Sequence, residues 1–192
     1  MILVIDTSSS IAALATIDET TGRTDEVLLS ARSSELMPRL RELASDQHIG
    51  KVAVVTGPGS FTGLRVGVSF GVGLAMGRKI PIVPLPTLRL QAARSDRPLT
   101  AVVEAGRGRF YFQPHGREPE LGGPADIPTS QPLVGRLSEA GARLLIAAGH
   151  VIELDEGLRT FGAAAQVLLE SAREVAYSSV QVEYMQSFTA RL

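Results

Sequence analysis

Apolar, β-branched runs recur at short intervals through the first part of the chain. Ile2–Ile5, Ile11–Ile17, Val27–Leu29 and Val52–Val55 each have the length and composition of a strand. Between the third and fourth lies SSELMPRLRELASD, where Leu36, Leu40 and Leu43 return at helical spacing. A helix is predicted there, capped by Ser33 or Ser34, with Pro38 in its first turns, where a missing N–H costs least. Strands alternating with helices define an α/β pattern. A charged stretch, Arg94–Pro98, then ends in proline, so the chain is predicted to divide into residues 1–97 and 98–192. In the second block the pattern predicts strands at Ala101–Glu104 and Arg109–Phe112 and a Pro/Gly-rich loop from Pro114 to Pro132. A short helix at Leu133–Ala140, a strand at Leu144–Ala147 and a helix over FGAAAQVLLESARE complete it.

The two blocks begin alike. MILVIDTSSSIAALA and TAVVEAGRGRFYF each give a strand, an acid at its end (Asp6, Glu104), a turn of small residues and a second strand. One reading is a pair of similar lobes whose acids face a shared cleft. The other is chance, because strand–acid–turn is common in α/β proteins.

The stretch TGPGSFTGLRVG looks like a phosphate cradle but meets no cradle rule. Five residues separate Gly57 from Gly63, and Leu64 stands where a Walker loop needs Lys. Thr62 occupies the third glycine position of a dinucleotide fingerprint, and Pro58 and Thr62 flank Ser60 where a nucleophile elbow has glycines. The run that follows, LRVGVSFGVGLAMG, alternates large and small residues. It is too long and too rich in glycine for a strand. Wound as a helix at about 100° per residue, it carries two small stripes on opposite sides, Gly67–Gly71–Ala75 and Ser69–Gly73–Gly77. Such a helix is built to be covered twice. The stripe continuing from Arg65 through Ser69, Gly73 and Gly77 is assigned to a protein partner, because a guanidinium is rarely turned into a sheet core. Complete burial within one domain is the alternative.

Composition narrows the classes. A net charge of −1 and the absence of cysteine argue against a strong nucleic-acid surface, disulfides, a thiolate nucleophile and Cys-ligated zinc. No apolar run reaches the roughly 20 residues of a membrane span, and the N-terminus has no basic region typical of a signal peptide. The expectation is a cytoplasmic protein. His48, His115 and His150 are the only histidines and none are four apart, which leaves a His-x-x-x-His metal pair without candidates. His150 is expected in a loop near the lobe cleft.

GPGSFTGLRVG, with MILVIDTSSS before it and VPLPTL after it, resembles the bacterial TsaB (YeaZ) family. The likeness is dense over residues 1–90 and thinner through VVEAGRGRFYF, AAGH and VEYMQ, the last resembling a segment that usually reads Pro-x-Tyr-x-Arg. The resemblance implies a two-lobed, actin-like fold on ribonuclease-H-like sheets, with a reduced second lobe. It also implies a non-catalytic role without a cofactor: a scaffold paired with the catalytic paralogue TsaD and the ATPase TsaE, which transfer a threonylcarbamoyl group to an adenosine beside the tRNA anticodon. A homodimer is the alternative open to the chain when that partner is absent. By the same resemblance the helix carrying Leu36 and Leu40 joins the glycine-grooved helix in the interface. Asp6, Thr7, Ser8 and Glu104 would mark a degenerate nucleotide cleft. The sequence departs from the family where Arg32 replaces a common histidine and Gln186 a common arginine.

Two other functions compete. An independent actin-like ATPase or small-molecule kinase would use Asp6 to position Mg²⁺ or water and Thr7–Ser10 to contact phosphates. An RNA-binding module would use Arg89, Arg94, Arg97, Arg107 and Arg109 beside the aromatics Phe110 to Phe112.

Overall fold

The computed structural model describes residues 1–183. Gln186 and most of VEYMQ lie outside them. The first sheet has the order β3-β2-β1-β4-β5, from β1 (Ile2–Asp6), β2 (Ile11–Ile17), β3 (Thr24–Ser30), β4 (Lys51–Gly57) and β5 (Ile82–Pro86). β1 runs antiparallel to β2 and parallel to β4, which runs parallel to β5. The period-two alternation of these strands sorts their side chains onto two faces. Leu3, Ile5, Ala12, Leu14, Val52 and Val54 pack on one side with Leu36 and Leu40 of α1 (Leu36–Ser45) and Val68 and Ala75 of α2 (Phe61–Arg78). Val4, Ala13, Ala15, Ala53 and Val55 pack on the other with Leu90 of α3 (Thr87–Ala92) and with Phe161, Ala164 and Ala165 of α5 (Phe161–Leu169).

The second sheet, β8-β7-β6-β9, repeats that plan in smaller form: β6 (Thr100–Gly106), β7 (Arg109–Gln113), β8 (Glu120–Gly122) and the two-residue β9 (Leu133–Val134). β6 is antiparallel to β7 and parallel to β9, as β1 is to β2 and β4. α4 (Glu139–Ala147) then follows β9 as α2 follows β4, and a parallel bridge from Leu133 to Ile152 takes the place of β5. The likeness of the two blocks extends to topology, and the second lobe is the reduced copy.

Four expectations need correction. Pro114–Pro132 is not loop throughout: it carries β8, paired to β7, and a 3₁₀ turn at Pro124–Asp126. Leu133–Ala140 is not a helix: it opens as β9, and the helix starts at Glu139, where Ser138 Oγ accepts the N–H of Gly141 at 3.1 Å. Leu144–Ala147 is not a strand. Its apolar run is the last part of α4, with Leu145 buried while Leu144 and Ile146 are exposed. A short apolar run has no period of its own, so the Ser138 cap was the better signal. Finally, α1 is preceded by Glu35 rather than capped by a serine side chain; Ser33 Oγ accepts the N–H of Glu35, two residues ahead of the cap position.

α3 joins the lobes. Leu90 enters the core under the first sheet, whereas Leu88 packs with Ala101, Val103 and Tyr111 of the second. The chain returns beyond Ile152 to the end of α3, where Arg159 N–H donates to Arg94 O at 2.7 Å and Arg94 Nε donates to Arg159 O at 3.2 Å. It then enters α5 on the first sheet.

The two stripes of α2 differ as their letters require. Gly67 and Gly71 are buried, and a β-carbon would collide with Thr7 Oγ1 at the first and Val54 Cγ1 at the second. At Gly73 and Gly77 a β-carbon would meet nothing within 4 Å. Gly71→Leu is therefore expected to destabilise the monomer by about 1–3 kcal/mol through overpacking. Gly73→Leu should stabilise it by about 0.5–1 kcal/mol, as an exposed mid-helix glycine is replaced by a better helix former. Urea denaturation of both variants tests the assignment, which fails if Gly73→Leu is the more damaging.

Candidate functional site

Asp6, Thr7 and Ser8 form the turn after β1, and all three are buried. The Ser8 backbone N–H donates to Asp6 Oδ1 at 2.8 Å, so the acid braces its own turn. Burial pushes the Asp6 carboxyl above its ordinary range, against the opposing hydrogen bond from Ser8 and the charge of Arg136.

The loop Gly57–Gly63 closes directly on this turn. Ser60 N–H donates to Ser8 O at 2.7 Å, and Thr7 Oγ1 donates to Gly63 O at 2.6 Å. A β-carbon at Gly59 would strike Ser8 O, and one at Gly63 would strike Thr7 O. These glycines permit two backbones to touch. Ser60 is the α2 cap, its Oγ accepting the Gly63 N–H at 3.3 Å. The groups that an ATPase turns toward phosphate are here turned toward each other.

Glu104 faces the same cleft from the second lobe but serves α4. Its Oε1 accepts the Ser138 hydroxyl at 2.6 Å and its Oε2 accepts the Ser138 N–H at 3.1 Å. A carboxylate at a helix N-terminus is electrostatically favoured, and Gly141 leaves room for it, since a β-carbon there would collide with Oε1. The structure thus brings Asp6, Thr7, Ser8 and Glu104 to one region, with both acids in structural contacts.

The outer face of α2 exposes Arg65, Ser69, Gly73 and Gly77 together with Phe61, Val66 and Met76, and Phe61 and Val66 also border the cleft. The Arg65 guanidinium stacks 3.8 Å from the centre of the Phe61 ring. Leu36 and Leu40 do not belong to this face: both are buried in the chain's own core, and Met37 is the exposed hydrophobic residue of α1. Heptad-like spacing identified the inward side of α1 rather than its outward one.

The residues named for RNA binding do not form a platform. Phe110, Tyr111 and Phe112 are buried, Arg94 is 3% exposed and ion-paired to Asp155 at 2.5 Å, and Arg97 pairs with Glu153 at 3.2 Å. His150 is buried away from the cleft lining, its Nε2 2.8 Å from Pro124 O. Among the described residues no group of three acidic, His or Cys side chains is arranged to hold a metal, and no helix is long and apolar enough to cross a membrane.

Arg136 was not singled out by its sequence. It follows β9, is 5% exposed, and lies 5.3 Å from the Phe161 ring, with neither Nε nor Nη1 given an acceptor among the described residues. Burial and the neighbouring Arg94 lower its pKa, while Asp6, Glu26 and Asp155 act in the opposite sense. A lone arginine after a short strand carries no local signal of such a position.

Two lobes repeating one sheet plan, with α3 between them and an acid in the last three residues of each first strand, define the actin-like, ribonuclease-H-like class. A family model described as TsaD, tRNA N6-adenosine threonylcarbamoyltransferase, matches residues 26–151. The chain is 33% identical over 120 residues to the tRNA threonylcarbamoyladenosine biosynthesis protein TsaB of Bacillus subtilis (strain 168), covering 57% of this chain and 52% of the relative. It is 27% identical over 128 residues to the protein of the same name from Escherichia coli (strain K12), covering 61% and 55%. It spans about half the length of the curated relatives it matches. A Pseudomonas aeruginosa crystal structure, described as an uncharacterized protein with similarity to peptidase YeaZ, superposes with a TM-score of 0.69 at 17% identity, over 96% of this chain and 99% of that one. The chain belongs to this family, on the branch that carries the TsaB and YeaZ names.

The buried carboxyl of Asp6 makes a pH-dependent prediction. A raised carboxyl pKa means that the folded state binds the proton more tightly, so Asp6 costs nothing below its ordinary value of 3.8 and its full destabilisation appears above the raised value. Asp6→Asn keeps an acceptor for Ser8 and removes the charge. Its melting temperature relative to the parent should rise as pH is increased from about 4 to 8. A difference that stays flat or falls over that range would contradict the assignment.

Proposed function

We propose that this chain is a non-catalytic subunit in threonylcarbamoyl transfer to tRNA adenosine, docking a TsaD-type catalytic subunit that works with a TsaE-type ATPase in the cytoplasm. The observation that carries the reading is the outer face of α2: a groove of Ser69, Gly73 and Gly77 flanked by Phe61, Val66 and Met76, with Met76 54% and Phe61 52% exposed. Grooves of small residues between bulky ridges accept a second helix at close range, and exposed apolar residues gathered on one face mark protein contacts. In the proposed interface Arg65, Ser69, Gly73 and Gly77 touch the partner. Leu36 and Leu40 hold α1 in place from within, and Met37 offers the contact on that helix. The same face would support a homodimer when the partner is absent. The division near residue 97 belongs to this proposal, with α5 returning to the first lobe.

The names of the relatives support the pathway. The closure of the Gly57–Gly63 loop on Thr7 and Ser8 supports a non-catalytic role, because it takes up two donors, the Thr7 hydroxyl and the Ser60 N–H, that could otherwise reach a phosphate. Binding to tRNA by this chain alone is expected to be weak at physiological salt.

Gly73→Leu separates the interface from stability. It should weaken association with a TsaD-type subunit, or self-association, by roughly tenfold or more, about 1.4 kcal/mol, while the folded monomer is retained. Analytical ultracentrifugation measures the self-association, and titration with the purified partner measures the heterocomplex. Unchanged association in both experiments would remove the α2 interface. ATP hydrolysis by the purified chain, abolished by Asp6→Ala, would replace the scaffold reading with the kinase-like one.

A further inference from the structure

The lobes meet across α3, and its residues sort by angle. At about 100° per residue, Leu90 and Leu88 fall about 160° apart, which is why one enters the core under the first sheet and the other the core of the second. Thr87, Gln91 and Arg94 fall in a narrow arc between them, and Arg89 lies on the opposite, exposed side. Arg94 belongs to this arc because the turn continues past the helix end, its N–H donating to Gln91 O at 3.2 Å. The strip of α3 between the two apolar cores is therefore polar, and it is shut off from solvent: Thr87, Gln91 and Arg94 are each no more than 3% exposed.

Arg136 reaches this seam from the second lobe, near enough to Arg94 for the two charges to act on each other. The carboxylates around it are engaged elsewhere. Asp155 pairs with Arg94 at 2.5 Å, Glu26 Oε2 accepts the Gly162 N–H at 2.8 Å, and Asp6 Oδ1 accepts the Ser8 N–H at 2.8 Å. Thr87 Oγ1, Gln91 Oε1, Arg94 Nη1 and both Nε and Nη1 of Arg136 are buried without a hydrogen-bond partner among the described residues. An arginine keeps its charge, so its buried N–H groups need acceptors, and a buried amide oxygen needs a donor. These atoms thus call for both kinds of partner. An ion answers only one kind, whereas water donates and accepts.

We infer that the seam holds a cluster of about two internal waters that bridge Arg136 of the second lobe to Gln91 and Arg94 on α3, and that this wet seam is the hinge between the lobes. The guanidinium N–H groups donate to the waters, Gln91 Oε1 accepts from them, and the Thr87 hydroxyl does either. About two is the number that such groups require when each buried water makes about three hydrogen bonds. The lobes are then joined by α3 and by water, with no single apolar core running through both. A water-mediated contact changes partners at low cost, whereas close-packed side chains resist displacement. The second lobe can therefore be re-set against the first along this strip. The inference stands whether or not α2 docks a catalytic subunit.

Oxygen-17 magnetic relaxation dispersion of water, measured on the full chain, counts long-lived internal waters and tests the inference. Gln91→Leu combined with Arg136→Met should remove about two of them, Gln91→Leu alone about one, and Arg23→Gln, at an exposed arginine paired to Asp25, none. Near-ultraviolet circular dichroism checks that each variant keeps the native fold, and Gln91→Leu, which removes no charge, decides the matter if the double variant does not. An unchanged amplitude in folded Gln91→Leu would overturn the hydration, as would a crystal structure in which an ion or the chain itself meets these groups. The chain has no cysteine, so Arg41→Cys on α1 and Arg143→Cys on α4 can carry spin labels that report the distance between the lobes. The distance distribution should narrow when Gln91→Leu dries the seam. A distribution that stays the same or broadens would remove the hinge.

Discussion

The closeness of α2 to the first sheet governs the rest of the molecule. Gly63, Gly67 and Gly71 lie along one side of the helix, and each is small because Thr7, Ile5 or Val54 occupies the space a side chain would take. That approach draws the N-terminus of α2 onto the turn after β1, where Ser60 N–H and Thr7 Oγ1 make the closing hydrogen bonds. It also sets the opposite side of the helix at the surface. Ser69, Gly73 and Gly77 are exposed for the same geometric reason that Gly67 and Gly71 are buried, because positions offset by two residues fall on nearly opposite sides. A sealed turn and an open groove are two consequences of one packing distance.

The second lobe shows what a repeat can lose while keeping its plan. β9 has two residues and the strand equivalent to β5 is a single bridge at Ile152, yet the order of pairing is unchanged. Reduction is tolerated because α3 covers the inner face of this sheet with Leu88 and because the returning chain is clamped to α3 through Arg94 and Arg159. Arg136 adds a third tie, reaching from the end of β9 to the Phe161 ring at the start of α5. A buried guanidinium with no carboxylate within ion-pair distance among the described residues carries a desolvation cost. Its interaction with Asp6, Glu26 and Asp155 nevertheless depends on how the lobes are set against each other.

Much of this was legible where the pattern was long. The strands of the first sheet read as apolar, β-branched runs of three to seven residues between turn signals, and the α2 stripes recur from Arg65 to Gly77, where period separated the two faces and the charge of Arg65 chose the outward one. Short segments were not legible. Leu144–Ala147 is apolar throughout, and nothing in four residues distinguishes a strand from the exposed end of a helix whose start lies at Ser138. The spacing of Leu36 and Leu40 is equally consistent with facing a partner or facing the chain's own sheet, because periodicity reports a buried side without saying what buries it. Burial of Arg94, Arg136 and Phe110–Phe112 depends on contacts between segments far apart in sequence, which no window along the chain contains.

The two acids show why a shared fold does not settle a shared chemistry. Asp6 and Glu104 end the first half of equivalent strand pairs, the position from which an actin-like enzyme could direct a metal or water. In this chain each is satisfied locally, Asp6 by the Ser8 backbone and Glu104 by Ser138. A carboxylate that braces its own turn or a helix end is held in place by that contact, which fixes its orientation toward the protein's own backbone. The same commitments of both acids to their own turn and helix end weaken the case for phosphoryl transfer and leave the fold serving structure at these positions.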